Sequence, residues 1–195
     1  MLTSTQYIFL AIVGLFIIQR LLELRHSRRN EQIMRNLGGR EHASGHFRLM
    51  TAVHTLWFIS MIAEVIVFDR RLVSHFDWAL AGSALIVTCA GQSLRYAAIR
   101  TLGQRWSVRI FTVPNSPAVT GGIYRYIRHP NYLGVILEIA AVPLLHGAYF
   151  TAAVFTALNA LVLWIRIRAE ERALRDENEY ETRMLDRARF VPRVK

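Results

Sequence analysis

Apolar residues in this chain fall in long blocks rather than short periodic stripes. A helix crossing a hydrocarbon layer of about 30 Å needs about 20 such residues. The blocks predict helices over residues 5–24, 49–68, 78–99, 130–145 and 148–167, the last continuing as a charged helix to residue 174. Polar segments separate them. Residues 25–48 are basic and carry Gly38-Gly39 with His26, His42 and His46; residues 69–77 make a short turn. Residues 100–128 hold Gly103, Pro114, Pro117 and Gly121-Gly122, breakers that predict an irregular loop. The short His146-Gly147 turn predicts an antiparallel hairpin of helices four and five, and the polar stretch 175–195 is expected to fold over one face of the bundle. The first block has no basic residues before it and no small-residue cleavage site after it, so it is expected to be retained and to direct insertion. The fold class that follows is an all-α integral membrane protein with five transmembrane helices and a cytoplasmic C-terminal region.

Charge changes the picture by where it lies. The net charge is +10, and of the 24 basic residues all but Lys195 are arginine. Seven lie in residues 20–48, six in 95–128 and nine in 166–195, leaving only Arg70 and Arg71 elsewhere. Five crossings with the N-terminus outside put all three basic segments on the cytoplasmic face, as the positive-inside rule requires. For a bacterial chain that is the inner membrane. The basic balance is therefore a topology signal with some attraction to anionic lipid heads, and nucleic acid is not expected as a partner. The single cysteine, Cys89, excludes an internal disulfide and a cysteine metal cluster, and is expected to be buried among apolar residues.

Two stretches carry candidate chemistry. In the first, residues 121–134, Pro130 suits the first turn of a helix, which places His129 at the N-cap. First-turn N–H groups lack intrahelical partners and attract carboxylates; Arg128 and His129 add donors beside them. Gly134 permits close approach of a backbone or ligand, and Tyr124 and Tyr126 offer flat apolar faces or interface anchors. In the second, Arg166 and Glu170 are four apart and share a helix face, as do Arg168 and Arg172. Glu170 suits hydroxyls or an amino group, and Arg166 suits a carboxylate clamped by two hydrogen bonds. Arg168 and Arg172 are expected at lipid heads or in solvent.

The ordered pattern Leu102-Gly103-x-x-Trp106-Ser107, Val119-Thr120-x-Gly122-x-Tyr124, Arg128-His129-Pro130-x-Tyr132-x-Gly134, Arg166-x-x-x-Glu170-Glu171-x-x-Leu174, then Tyr180 and Phe190-Val191-Pro192 resembles the isoprenylcysteine carboxyl methyltransferase family. The resemblance covers nearly half the chain. It implies a membrane bundle whose C-terminal region encloses S-adenosyl-L-methionine. Cofactor contacts are implied for Ser116, Pro117, Ala118, Val119, Tyr124, Arg128, His129, Pro130, Asn131, Tyr132, Glu170 and Glu171, with Arg166 facing the substrate. The loop between Trp106 and Val119 is shorter than the family's usual one, and Asp176-Glu177-Asn178 stands where Phe-Gly is usual before Glu179-Tyr180. Residues 102–195 then form the catalytic region, and residues 1–101 three substrate- and lipid-facing helices.

Three ionisable residues sit inside expected spans, where they are costly and hence functional candidates. His54 could line a substrate cavity, Glu138 could orient substrate or pair with a neighbour, and Glu64, near the outer end, is expected to be solvated. His26, His42 and His46 make no convincing metal set. A carboxylate acceptor is already ionised at neutral pH and needs no general base. A hydroxyl or enol would need one, for which Glu138 or His54 is available. The expected activity is methyl transfer from S-adenosylmethionine to the oxygen of a lipophilic substrate from the bilayer: a prenylcysteine-like carboxylate or, for a chain like prokaryotic members, a small carboxylate, phenol or polyketide-type enol. A lipid N-methyltransferase and a non-catalytic membrane scaffold are the alternatives. Oligomeric state is not legible.

Overall fold

The computed structural model describes residues 2–192. Two of the basic residues counted above, Arg193 and Lys195, lie outside that range. The chain is mostly helical, in the order α1 (Ser4–Asn36), β1 (Arg40–His42), α2 (Gly45–Val67), α3 (His75–Leu102), β2 (Ile110–Thr112), α4 (Pro130–Leu144), α5 (Tyr149–Glu177) and α6 (Tyr180–Met184). Among the described residues, three helices are long and apolar enough to cross a membrane: α1, α2 and α5. α4 is apolar but has 15 residues. α3 has 28 but carries Asp77, Gln92 and Arg95 along its length.

α1 begins in a capping box, with Thr3 accepting from Gln6 N and the Gln6 side chain returning to Thr3 N. It does not stop at residue 24. Residues 25–36 are mainly good helix formers with no glycine or proline, so the helix runs about 50 Å in all and projects beyond the apolar layer. Its extension buries a stripe of the polar residues Ser27, Asn30 and Glu31 with the apolar Met34. Asn30 Nδ2 donates to the Gly103 and Trp106 carbonyls (3.1 and 2.8 Å), and Ser27 Oγ accepts from Val108 N at 2.9 Å. The extension thus carries the 103–112 loop.

That loop is less irregular than its breakers predict. β2 pairs antiparallel with β1, Arg40 opposite Thr112 and His42 opposite Ile110, so a short ladder joins the α1–α2 connection to the loop before α4. Thr112 Oγ1 contacts His42 Nε2 at 2.7 Å and donates to Glu177 at the end of α5.

α3 and α4 form the closest helix pair, and glycines set the approach. A Cβ on Gly134 would lie 2.6 Å from the Gly91 carbonyl oxygen and 2.5 Å from Arg95 Cγ. Gly134→Ala is therefore expected to force the helices apart at a cost of about 1–3 kcal/mol. Thermal unfolding in detergent should show the loss, while Gly14→Ala, where an added Cβ meets nothing within 4 Å, should not.

The α4–α5 hairpin forms as expected, and Glu64 is what fixes its far end. Rather than being solvated, Glu64 is buried on α2; its carboxylate accepts from Phe150 N (3.0 Å), Thr151 N (2.7 Å) and Thr151 Oγ1 (2.8 Å). It caps the first turn of α5 from a neighbouring helix, supplying the acceptor that Ala148 lacks. Cys89, expected to be buried, is exposed on α3.

Candidate functional site

A cavity of about 520 Å³ runs between the start of α4, the end of α5, the 106–119 loop and the facing walls of α1 and α2. Pro130 opens α4 and His129 is its N-cap residue, with no side-chain bond to the helix. His129 Nε2 instead meets Glu171 Oε1 at 3.0 Å. Arg128 Nη1 lies 3.2 Å from the same oxygen, and Arg189 donates through Nε (3.0 Å) and Nη2 (2.7 Å) to the two Glu171 oxygens. Glu171 therefore gathers the start of α4, the end of α5 and the tail after α6. The tail is held there further by Arg128 N to the Ala188 carbonyl and His129 N to the Arg189 carbonyl.

One turn further along both helices lies a second polar chain. Arg166 Nε donates to Tyr132 Oη at 2.8 Å, Tyr132 donates to Glu170 Oε2, and Arg166 Nη2 donates to the Val108 carbonyl. Arg166 is 4% exposed, so its planar group is fixed by three elements, and Nη1 has no protein partner among the described residues. The Tyr132 ring stacks on His129, with 5.5 Å between centroids and 29° between the planes.

Beyond Glu170 the wall is apolar and flat. Tyr124, Tyr180 and Met184 cluster with Ala98, against Ala118 and Leu174. Burial, reinforced for Tyr124 by the nearby Glu170 charge, pushes the phenols of Tyr124 and Tyr180 above their ordinary values, so both stay protonated across the physiological range. Asn178 at the end of α5 holds the rim: its Nδ2 donates to the Val113 carbonyl (3.0 Å) and the Ser116 carbonyl, and its own carbonyl accepts from Ala118 N at 2.9 Å.

Of the residues singled out from sequence, Ser116, Pro117, Ala118, Val119, Tyr124, Arg128, His129, Asn131, Tyr132, Arg166 and Glu170 come together on this one wall. Pro130 and Glu171 stand behind it, Pro130 as the helix start and Glu171 as the tie just described. Glu138 is not brought to the lining: it is buried behind α3, where Arg20 Nη2 donates to Oε2 and Arg95 Nε lies 3.4 Å from Oε1. Tyr126 faces outward, 55% exposed, beneath Arg125. Arg168 covers Trp164 on the outer face of α5. His54 lines the cavity. Asn178, Arg20, Glu23 and Arg95 were missed as site residues; Arg20–Glu23 is an i,i+3 pair inside an apolar block, a signal the sequence did contain.

The walls of this cavity from α3 through α5 coincide with a family match. Residues 84–176 match the model of the isoprenylcysteine carboxyl methyltransferase (ICMT) family. The chain is 38% identical over 168 residues to the uncharacterized protein YpbQ of Bacillus subtilis, covering 86% of this chain and 97% of that one. The chain belongs to the isoprenylcysteine carboxyl methyltransferase family. An uncharacterized protein of Haemophilus influenzae is 26% identical over 156 residues, 80% of this chain and 88% of its own length. The protein-S-isoprenylcysteine O-methyltransferase of Schizosaccharomyces pombe is 39% identical over 99 residues, half of this chain and 40% of the yeast protein. Family membership and the three long apolar helices make this chain an integral membrane protein. The residues of the polar chain, Tyr132, Arg166 and Glu170, lie inside the matched range.

Proposed function

We propose that this member of the family transfers a methyl group from S-adenosyl-L-methionine to an oxygen, foremost a carboxylate oxygen, of a lipophilic acceptor drawn from the bilayer. The observation that carries the reading is the single cavity on which Arg166, Tyr132 and Glu170 meet both the flat Tyr124 wall and the apolar faces of α1 and α2. The residues fit the cofactor. Tyr124, Leu174 and Met184 offer a slot for an adenine ring, and among the described residues neither Glu170 Oε1 nor the buried Asn131 Oδ1 has a protein partner. Those two oxygens suit ribose hydroxyls and an ammonium group, and the first-turn N–H groups of α4 suit a carboxylate. When bound, S-adenosylmethionine supplies an electrophilic methyl on a sulfonium, which departs as a neutral thioether.

The protein's part is positioning. Arg166, locked by Tyr132 and Val108, holds the acceptor carboxylate through its free Nη1. The acceptor is ionised at neutral pH and needs no base, so holding it in line and excluding water supplies the rate. Five crossings with the N-terminus outside would place the site on the cytoplasmic side, α4 and α3 crossing as one glycine-packed pair. The 1–101 half would then supply acceptor contacts and the 102–195 half the cofactor site.

The test is incubation of purified protein with methyl-labelled S-adenosylmethionine and a total lipid extract. Label that enters the organic phase and leaves as volatile methanol on base treatment is the expected result, since esters hydrolyse and methylamines do not. Base-stable label on amines, or no label from folded protein that also fails to bind S-adenosylhomocysteine, overturns the reading. Glu170→Ala removes one ligand contact and the Tyr132 acceptor. It is expected to weaken S-adenosylhomocysteine binding roughly tenfold, read by calorimetric titration.

A further inference from the structure

Ser107 lines the cavity yet has no part in the chemistry above. Its Oγ donates to Glu31 Oε1 at 2.8 Å and accepts from Arg109 N at 2.9 Å. Ser27 repeats the arrangement from α1. Its Oγ donates to the same Glu31 oxygen at 2.6 Å and accepts from Val108 N at 2.9 Å. A serine hydroxyl has one proton to give. With both protons on Glu31, both hydroxyls turn their lone pairs to the backbone. One carboxylate oxygen therefore orients the two groups that hold residues 108 and 109. Ser27 and Glu31 are both buried.

The peptide between Val108 and Arg109 is trans, so its N–H and C=O lie in one plane and point opposite ways. Ser107 takes the Arg109 N–H, which aims the Val108 carbonyl away from Ser107. That carbonyl accepts from Arg166 Nη2. Val108 thus has both backbone groups committed, its N–H to Ser27 on α1 and its C=O to Arg166 on α5. The carbonyl matters because the Arg166 Nε bond to Tyr132 does not by itself stop the two Nη groups from exchanging by rotation about Nε–Cζ. The Val108 bond opposes that rotation and keeps Nη2 on the protein, leaving Nη1 to the acceptor. Among the described residues neither Ser27 nor Glu31 lines the cavity. Glu31 also lies 3.6 Å from Arg109 Nε, but Arg109 has a closer partner in Glu41 at 2.6 Å.

We propose that Glu31, outside the cavity, is a positioning residue for the acceptor end of the site: through Ser27 and Ser107 it fixes the Val108 peptide, and the Val108 carbonyl fixes the Arg166 guanidinium. The proposal rests on the reading that Arg166 holds the acceptor.

The experiment uses the full-length protein in detergent and has two readouts. The first is rotation of the Arg166 guanidinium, followed by nitrogen NMR of protein carrying labelled arginine and assigned by the signal lost in Arg166→Lys. The second is methyl transfer, set beside S-adenosylhomocysteine affinity. Slow rotation is expected in the wild type. Glu31→Leu should speed it and lower kcat/KM roughly tenfold, the effect of about one buried hydrogen bond, with inhibitor affinity nearly unchanged. Glu31→Gln keeps an acceptor oxygen for both serines and should restore most of both. Ser27→Ala removes the Val108 N–H acceptor while leaving Glu31 beside Ser107 and Arg109, and it gives the same result on a smaller scale even where Glu31→Leu does not fold. In an Arg166→Ala background neither substitution should lower kcat/KM further, because the group they position is gone. Rapid rotation in the wild type, rotation unchanged in Ser27→Ala and Glu31→Leu, or losses that multiply with that of Arg166→Ala overturn the proposal. Faster rotation in the variants of a protein whose Arg166→Ala form keeps full activity leaves the positioning standing and removes Arg166 as the acceptor's anchor instead.

Discussion

Arg166→Ala is expected to lower kcat/KM by a factor of about 10²–10³, the usual loss when one preorganised donor is removed from an enclosed site, with S-adenosylhomocysteine affinity nearly unchanged. The expectation follows from how the side chain is held. Nε is committed to Tyr132 Oη at 2.8 Å and Nη2 to the Val108 carbonyl, so the group cannot swing, and the nitrogen left over is the one assigned to the acceptor in the proposed function. Holding acceptor and donor in one geometry is most of what a methyl transfer asks of a protein. Arg166→Lys should recover little, because the three donors of an ammonium radiate from one nitrogen and cannot span the separate positions that the planar guanidinium reaches. Steady-state rates with the best acceptor, paired with inhibitor titration, check this. Activity within a few-fold of wild type in Arg166→Ala would remove Arg166 from the acceptor site while leaving the Tyr124–Glu170 end untouched.

What could be read from sequence followed contiguity. The α1, α2 and α5 spans were legible because an apolar block reports the solvent around a helix. The same signal reports nothing about the backbone once the chain reaches water, which is why α1 was expected to stop at residue 24 when its helix formers carry it to Asn36. The β1–β2 ladder has three residues per strand, too few to leave a period. The site's polar chain was legible because Arg128–Tyr132 and Arg166–Glu171 each sit within one or two turns of a helix, where spacing fixes which side chains are neighbours. Glu64 and Asn178 were not, since each acts on backbone groups of a distant segment, α5's first turn and the 113–118 loop. Such bonds depend on tertiary contact alone. Glu138 stood out as a buried charge, but its partners are on α1 and α3, more than 40 residues away along the chain, and so its role as one of four members of an ion network emerges only in three dimensions.

That network gives the second large effect. Glu138→Gln leaves two arginines sharing Glu23 in a setting where Arg95 is 4% and Glu138 1% exposed. Removing one partner of a buried ion pair costs about 3–5 kcal/mol, because the charge left behind is uncompensated. The thermal midpoint in detergent should fall clearly for Glu138→Gln and for Arg95→Gln. The double variant restores neutrality around the Arg20–Glu23 pair, which keeps its own 2.7 Å contact. It should therefore be more stable than the sum of the single losses predicts, by a coupling in the range of about 0.5–3 kcal/mol found for residues in one network. The cycle separates charge balance from packing: neutral glutamines of similar volume leave little cavity, so a loss in the single variants that simply adds in the double would assign the cost to shape. A Glu138→Gln midpoint equal to wild type would mean that charge balance among the four does not hold α1 against the α3–α4 pair. Coupling would mean instead that α1 is positioned over the cavity by charge, and that the cavity wall and the stability of α1 are set by the same four residues.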